Sequence, residues 1–203
     1  RRKIVGAYFG YSLEYTNIAW AHHMSGHNRL RKVLDSPDID FFSAPPSYAV
    51  RRIGENLGWM WPFHAMQLAG KLVWVDDDTR TYRSGVCDYS PVVNPRQTIA
   101  AIQRNFSKAL CRMCPQGFLQ IESGHELDDP DVAKDIRAIR RAGEYLIEEN
   151  VERKAEIAVV VDEDSVKYLG FDAETLPSGE TDRIVHWNGN VVLSPRHVST
   201  LMG

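Results

Sequence analysis

The stretch Lys71-Leu-Val-Trp-Val-Asp-Asp-Asp-Thr-Arg-Thr81 decides the fold prediction for this chain. Its apolar residues 72–75 follow Gly70 and are bulky or β-branched, which is typical of a strand buried on both faces of a parallel sheet. Three carboxylates and a guanidinium come next, at the carboxyl end of that strand. In α/β proteins the loops at this end carry the chemistry, while the sheet holds them in place. The stretch therefore predicts a candidate site at the end of a parallel strand.

Strand and helix patterns alternate on both sides of this stretch. We predict strands at residues 4–11, 39–44, 71–76 and 117–121, with helices at residues 17–34, 95–113 and from Pro130 onward. Such alternation indicates parallel strands joined by right-handed crossovers. Four units of this kind would form an open sheet or half of an eight-stranded barrel. A further apolar run at residues 155–161 predicts the buried first strand of a second α/β domain, so the domains are expected at residues 1–150 and 151–203, the latter incomplete.

Composition narrows the class of partner. The chain has 203 residues, 43% of them hydrophobic, and a formal net charge of −3, so it has the apolar content for a core but no basic field for nucleic acid or an anionic membrane. No apolar run approaches the ~20 residues that span a bilayer. The start at Arg1, without Met or a lead-in segment, suggests a piece of a longer protein. An odd number of cysteines favours a reducing compartment, so we expect a cytoplasmic protein with a small polar ligand.

Four short motifs occur in the order and spacing of a known family. They are Gly6-x-Tyr8-x-Gly10-Tyr11, Ser36-Pro-Asp-Ile-Asp40-Phe-x-Ser43-x-Pro-x-Ser47-Tyr48, Gly70-Lys71 and Asp77-Asp78-Thr-Arg-Thr81. With these motifs the chain resembles the second half of the catalytic barrel of β-galactosidase-like glycoside hydrolases of the family 42 type. The resemblance implies half of a (β/α)8 TIM-type barrel, strands five to eight. It also implies the start of a flavodoxin-like or glutamine-amidotransferase-like trimerisation domain.

The resemblance also implies a reaction, the retaining hydrolysis of a β-linked sugar in an oligosaccharide or β-galactoside. The family's nucleophile ends the seventh strand, where this chain has Asp76 in place of Glu. Asp withdraws the carboxylate by one methylene, on the order of 1 Å, and such a displacement can cost roughly a hundredfold in rate. The general acid/base belongs to the fourth strand, which this chain does not contain. No cofactor and no metal ion are expected.

Strand alternation assigns the residues of this stretch to two faces. Leu72, Trp74 and Asp76 share one face, and Val73, Val75 and Asp77 share the other. The valine face suits packing on helices, so we expect Trp74 and Asp76 to point into the barrel, with Trp74 binding substrate as the aromatic that shapes the sugar site. Other residues near strand ends are expected to bind sugar or to belong to the scaffold: Tyr8, Tyr11, Ser43, Tyr48 and Glu122.

Asp78 and Arg80 are expected to have a structural task. A guanidinium close to carboxylates commonly forms a bidentate ion pair, and we expect this pair to order the loop after the strand.

Three other clusters have a functional and a structural interpretation. Trp59 and Trp61 could stack on sugar rings, but burial in the core is favoured. Cys111-Arg-Met-Cys114 has zinc-site spacing without further ligands, which favours partly buried structural thiols; the third cysteine is Cys87. Helical spacing in the predicted first helix, without an H-E-x-x-H pattern, favours surface histidines over a metal site at His22, His23 and His27.

Two rival functions remain open. Asp162-Glu-Asp164 after an apolar run has the D-x-D pattern of haloacid-dehalogenase-like, magnesium-dependent phosphatases, although few residues follow it. A half-barrel without its acid/base could instead be a structural or carbohydrate-binding remnant. Such a half-barrel has two open sheet edges, which another chain or segment must cover. We therefore expect either a homo-oligomer, a dimer or a trimer, or the remainder of a parent chain at these edges.

Overall fold

The computed structural model describes residues 3–12, 14, 26–48, 50–85, 92–122, 124–152, 154–160, 162, 185–187 and 190–192. The elements in these residues are, in chain order, β1 Gly6–Tyr8, α1 Leu30–Leu34, β2 Phe41–Ala44, α2 Phe63–Leu68, β3 Leu72–Asp77, α3 Pro95–Leu110, β4 Gln116–Phe118, α4 Pro130–Glu148, β5 Val185–Trp187 and β6 Asn190–Val192.

The first four strands form one parallel sheet in sequence order, β1-β2-β3-β4. Its register aligns Tyr8 with Ser43 and Ser43 with Trp74, and it aligns Asp76 with Gly117. The predicted parallel α/β arrangement is confirmed for these strands. β5 and β6 pair with each other in an antiparallel hairpin.

The two faces of β3 differ sharply in burial. Val73 and Val75 are 3% and 1% exposed, because they pack in the core beside Phe63 of α2. Leu72 and Trp74 are 59% and 46% exposed on the opposite face. The predicted division of the strand into two faces is confirmed, but the expected burial of both faces is wrong for the described residues. We call the face with Leu72 and Trp74 the open face.

The described helices lie on the valine side of the sheet. Leu30 of α1, Met66 of α2 and Ala109 of α3 belong to the same core cluster, and α4 packs against α3. No helix among the described residues is both long and apolar enough to cross a membrane.

The structure corrects the predicted first helix. Residues 15–25 lie outside the described part of the chain, and α1 begins only at Leu30. Arg29 has φ 64°, in the left-handed region, and a residue in that conformation cannot continue a right-handed helix. The predicted helix is therefore wrong over residues 26–29.

The starts of the two long helices follow from their capping residues. The side chain of Asn94 accepts a hydrogen bond from Gln97 N before α3. Asp129 accepts from Asp131 N and Val132 N, with Pro130 as the first residue of α4, so this predicted boundary is confirmed. α3 ends before the predicted Met113, which has φ 51° and so leaves the helical conformation.

The strand predicted at residues 155–161 is not present in the described part of that segment. Residues 154–160 form no strand, and Ile157 and Val160 are 86% and 91% exposed. A strand needs a neighbour for its backbone hydrogen bonds, and no described strand pairs with this segment. Of the predicted second domain, the described residues thus include an exposed segment without secondary structure and the paired strands β5 and β6.

Candidate functional site

Asp76 lies at the carboxyl end of β3 and faces the open side of the sheet. It is 9% exposed, and the hydroxyl of Tyr8 donates a hydrogen bond to its Oδ2 at 3.0 Å. Both residues line a cleft of about 310 Å³. Trp74 and Ser43, predicted to bind substrate, line it too. The complete lining is Gly6, Ala7, Tyr8, Phe41, Ser43, Trp74, Asp76, Gly117 and Phe118.

Glycines give the aromatic rings of this cleft their positions. A Cβ atom at Gly117 would lie 2.8 Å from Nε1 of Trp74, so the indole lies directly across the backbone of β4. Phe41 lies in the same way over Gly6, where a Cβ atom would be 2.1 Å from Cζ of the ring. The cleft is therefore walled by flat apolar rings beside a carboxylate, which suits the apolar face of a polar ring-shaped ligand.

Burial, neighbouring charges and one hydrogen bond act together on the pKa of Asp76. Burial raises the pKa of Asp76 above its usual value, and the neighbouring charges of Asp78 and Asp77 act in the same direction. The hydrogen bond from Tyr8 opposes this rise. In return, that hydrogen bond is the largest cause of a raised pKa for Tyr8, which keeps its hydroxyl protonated.

Asp77 faces the helical layer, as predicted, and joins three elements. Asn105 Nδ2 of α3 donates to its two carboxylate oxygens at 3.1 and 3.0 Å. Gln116 Nε2 of β4 donates at 2.7 Å and Thr79 N at 3.0 Å. Burial raises the pKa of Asp77, although the hydrogen bonds from Thr79 and Asn105 act to lower it. This carboxylate serves the fold and does not line the cleft.

The predicted ion pair between Asp78 and Arg80 is wrong. Asp78 pairs with Arg51, with Nη1 and Oδ1 2.6 Å apart and both side chains buried. Arg51 also donates to the carbonyls of Ser47 and Pro46. Asp78 therefore binds the loop that follows the neighbouring strand β2. Proximity in sequence misled the prediction, because Arg80 reaches only the backbone carbonyl of Asp78, while the carboxylate pairs with Arg51 of the β2 loop.

Arg80 pairs with Glu122 instead. Its Nε lies 3.1 Å from Oε1 of Glu122, and its Nη1 donates to the carbonyl of Asp78 at 2.9 Å. The amide of Gly85 donates to the other carboxylate oxygen of Glu122. Glu122, predicted to bind substrate, thus holds together the loops after β3 and β4 and does not line the cleft.

Tyr11 and Tyr48, also predicted to bind substrate, belong to the Asp78 network. Tyr48 Oη donates to Oδ2 of Asp78 at 3.2 Å, and the two tyrosine hydroxyls are 3.0 Å apart. The guanidinium of Arg51 lies 4.2 Å from the centre of the Tyr48 ring. Burial and the adjacent Asp78 raise the pKa of Tyr48. These tyrosines follow β1 and β2 in the chain, and neither lines the cleft.

His27 is not the surface histidine that was predicted. Its Nδ1 accepts a hydrogen bond from Gly10 N at 3.1 Å, and its ring packs against Phe9 and Tyr11. Burial lowers the pKa of His27. His22 and His23 lie outside the described residues.

The remaining candidates have structural positions where they are described. Trp59 and Trp61 are 1% and 0% exposed and stack in the core, so that interpretation is confirmed. Cys114 is a buried free thiol whose pKa burial raises to about 12, whereas Cys111 is exposed, so burial is confirmed for Cys114 alone. Cys87 lies outside the described residues.

The described residues contain no group of three His, Cys, Asp or Glu side chains that could hold a metal ion. Of the D-x-D pattern, Asp162 is exposed, while Glu163 and Asp164 lie outside the described part of the chain.

Comparison with known proteins gives no family. No family model, curated protein or solved structure matches this chain. The assignment of a function therefore depends on the chemistry of the cleft.

Proposed function

We propose that this chain is part of a glycoside hydrolase that acts on a β-linked sugar, with Asp76 as its catalytic carboxylate. One observation carries the proposal: of the three consecutive aspartates, Asp76 alone lines the cleft on the open face. Asp77 is bound by Asn105, and Asp78 is paired with Arg51. The side chains around Asp76 are those that a sugar site needs, namely a carboxylate, a hydroxyl donor and aromatic rings.

The topology supports the half-barrel part of this proposal. Strand order follows the sequence, and the described helices lie on one side of the sheet. A doubly wound sheet has helices on both faces, and its strand order reverses within the sheet. In a (β/α)8 barrel the helices lie only on the outside, and the strands follow one another in sequence order. In such a barrel the open face would be the interior, and strands of the other half would pair with the edges of β1 and β4. A parent chain or an oligomer would supply that half.

Within the cleft, each side chain has a role that follows from its position. The exposed indole of Trp74 and the ring of Phe41 offer apolar surfaces to the C–H side of a pyranose. Ser43, which is 6% exposed, lines the cleft at the centre of the sheet, between Tyr8 and Trp74 in the register. Asp76 supplies the carboxylate chemistry at the anomeric carbon. Retaining enzymes use a second carboxyl group about 5 to 5.5 Å away to protonate the leaving oxygen.

The test uses a substrate that does not need that second group. 2,4-Dinitrophenyl β-galactoside loses a leaving group that departs without a proton, so its hydrolysis depends on the groups in this cleft. We expect Asp76→Asn to lower the rate by on the order of 10²-fold or more, because misplacing a catalytic group by about 1 Å can already cost that much and this variant removes the carboxylate. The matched control is Asp38→Asn, which changes an exposed aspartate outside the cleft. Equal rates for the two variants would contradict the proposal.

A carbohydrate-binding role without catalysis is the second candidate. The observation that favours it is the 46% exposure of Trp74, which leaves the indole accessible in the cleft. In that case the protein would bind galactose or lactose and its tryptophan fluorescence would change on binding. Trp74→Leu would abolish this change, and the protein would not hydrolyse the aryl galactoside.

A further inference from the structure

Tyr8 and Asp76 form a hydroxyl-carboxylate pair that crosses a strand. They belong to β1 and β3, and β2 lies between these strands. In the register Tyr8 is aligned with Ser43, whose small side chain leaves room for the phenol to extend over β2. The phenol oxygen then lies 3.0 Å from Oδ2 of Asp76. This is the separation at which a base takes a proton from a nucleophile, about 2.6–3.2 Å.

Tyr8 and Asp76 differ in how accessible they are to a ligand in the cleft. Tyr8 is 66% exposed, whereas Asp76 is 9% exposed. Asp76 is also one methylene shorter than a glutamate would be, so its carboxylate reaches less far into the cleft. Tyr8 is therefore the more accessible member of the pair for a sugar ring lying against Trp74.

We infer that Tyr8 Oη is the atom that attacks the anomeric carbon of a β-glycoside and that Asp76 is its general base. This inference rests on the glycosidase function proposed above and changes the role of Asp76 within it. In the first step the bond from Tyr8 Oη to the anomeric carbon forms, the bond from that carbon to the leaving oxygen breaks, and the phenol proton passes to Oδ2 of Asp76. An aryl leaving group departs as its anion, so no further proton is needed.

The second step restores both residues. Water attacks the anomeric carbon, the bond to Tyr8 Oη breaks, and Asp76 returns its proton to the phenol oxygen. The water proton goes to solvent, and the product is the free sugar. The hydrogen bond between the phenol oxygen and Oδ2 of Asp76 is the path along which this proton moves in both steps.

A trapping experiment locates the attacking atom. The full chain is incubated with 2,4-dinitrophenyl 2-deoxy-2-fluoro-β-galactoside, whose fluorine slows the second step, and is then digested with trypsin. Tyr8 and Asp76 fall in different tryptic peptides, residues 4–29 and 72–80, because Lys3, Arg29, Lys71 and Arg80 precede the cleavage points. Fragmentation of the first peptide distinguishes Tyr8 from its other tyrosines. We expect the fluorosugar on Tyr8.

Variants separate attack from a merely structural role. Tyr8→Phe retains the exposed ring and removes only the hydroxyl that donates to Asp76, so it should lose the adduct while the chain still unfolds cooperatively. Tyr145→Phe, at a tyrosine that is 58% exposed on α4, should retain the adduct. Asp76→Asn should slow formation of the adduct by on the order of 10²- to 10⁴-fold.

Each other outcome is decisive. A fluorosugar on Asp76 overturns the inference and leaves the proposed function in place, with Asp76 as the nucleophile. Hydrolysis of the unfluorinated substrate without any adduct on Tyr8 also overturns the inference alone. Neither adduct nor hydrolysis would overturn both.

Discussion

Arg51 and Asp78 form a buried ion pair that ties the loop after β2 to the end of β3. Their Nη1 and Oδ1 atoms are 2.6 Å apart, and the side chains are 1% and 6% exposed. Tyr48 donates to the same carboxylate and stacks beneath the guanidinium. The pair thus fixes the loop next to the cleft.

Arg51→Met should destabilise the fold strongly. Removing one partner leaves the carboxylate of Asp78 buried without its counter-charge, which typically costs about 3–5 kcal/mol. The measurement is the free energy of unfolding in urea. Arg31→Met is the control, because Arg31 pairs with Asp35 on the surface, where the two side chains are 89% and 62% exposed. Ion pairs this exposed contribute at most about 1 kcal/mol to stability. A loss at Arg51 as small as that at Arg31 would show that the buried pair does not hold the loop.

The sequence could predict the parts of this structure that depend on local chemistry. The alternation along β3 separates Val73 and Val75 from Trp74 and Asp76, and the structure keeps that separation. The start of α4 follows from Asp129 and Pro130, which act within one turn of the chain. In both cases the residues that decide the structure are neighbours in sequence.

Features that depend on distant residues could not be predicted in the same way. Asp78 meets a guanidinium 27 positions away, and nothing in the local sequence around Arg51 distinguishes it from Arg52. Arg80, only two positions from Asp78, pairs with Glu122 on the next loop. The predicted helix through Arg29 failed because left-handed backbone is uncommon for arginine and has no signal in the sequence pattern.

Asn105 should help to hold the buried carboxylate of Asp77, beside Gln116 and Thr79. It is fully buried, and its amide reaches both oxygens of Asp77 and Thr79 Oγ1. Asn105→Ala should cost about 1–3 kcal/mol, because a buried carboxylate loses one of its donors. Asn105→Asp should cost more at pH 7, where two carboxylates face each other, and should recover part of that loss at pH 4. Urea unfolding at both pH values measures this, and a pH-independent loss for the Asp variant would contradict it.

His27 should make stability depend on pH. Its Nδ1 accepts the amide hydrogen of Gly10, and a protonated ring cannot accept there. The folded-state pKa of His27 is lowered, so its contribution is complete above the unfolded value of about 6.5 and is lost as pH falls toward the folded value. We expect unfolding midpoints of wild type and His27→Gln to converge between pH 7.5 and pH 5. The comparison variant is His125→Gln, at a histidine that is exposed. Curves of unfolding midpoint against pH that run parallel for wild type and His27→Gln would contradict the prediction.

Gly117 should control the shape of the cleft through Trp74. The indole occupies the space that a Cβ atom on β4 would need, since the two would be only 2.8 Å apart. Gly117→Ala should therefore displace the indole toward solvent, shift its fluorescence to longer wavelength and weaken sugar binding, while the strand pairing persists. Gly143→Ala is the matched control, because a Cβ there lies 3.4 Å from Phe106, and alanine in a helix is favoured over glycine by about 1 kcal/mol. If Gly117→Ala left both the fluorescence and the sugar binding unchanged, the indole would not be the wall against which the ligand lies.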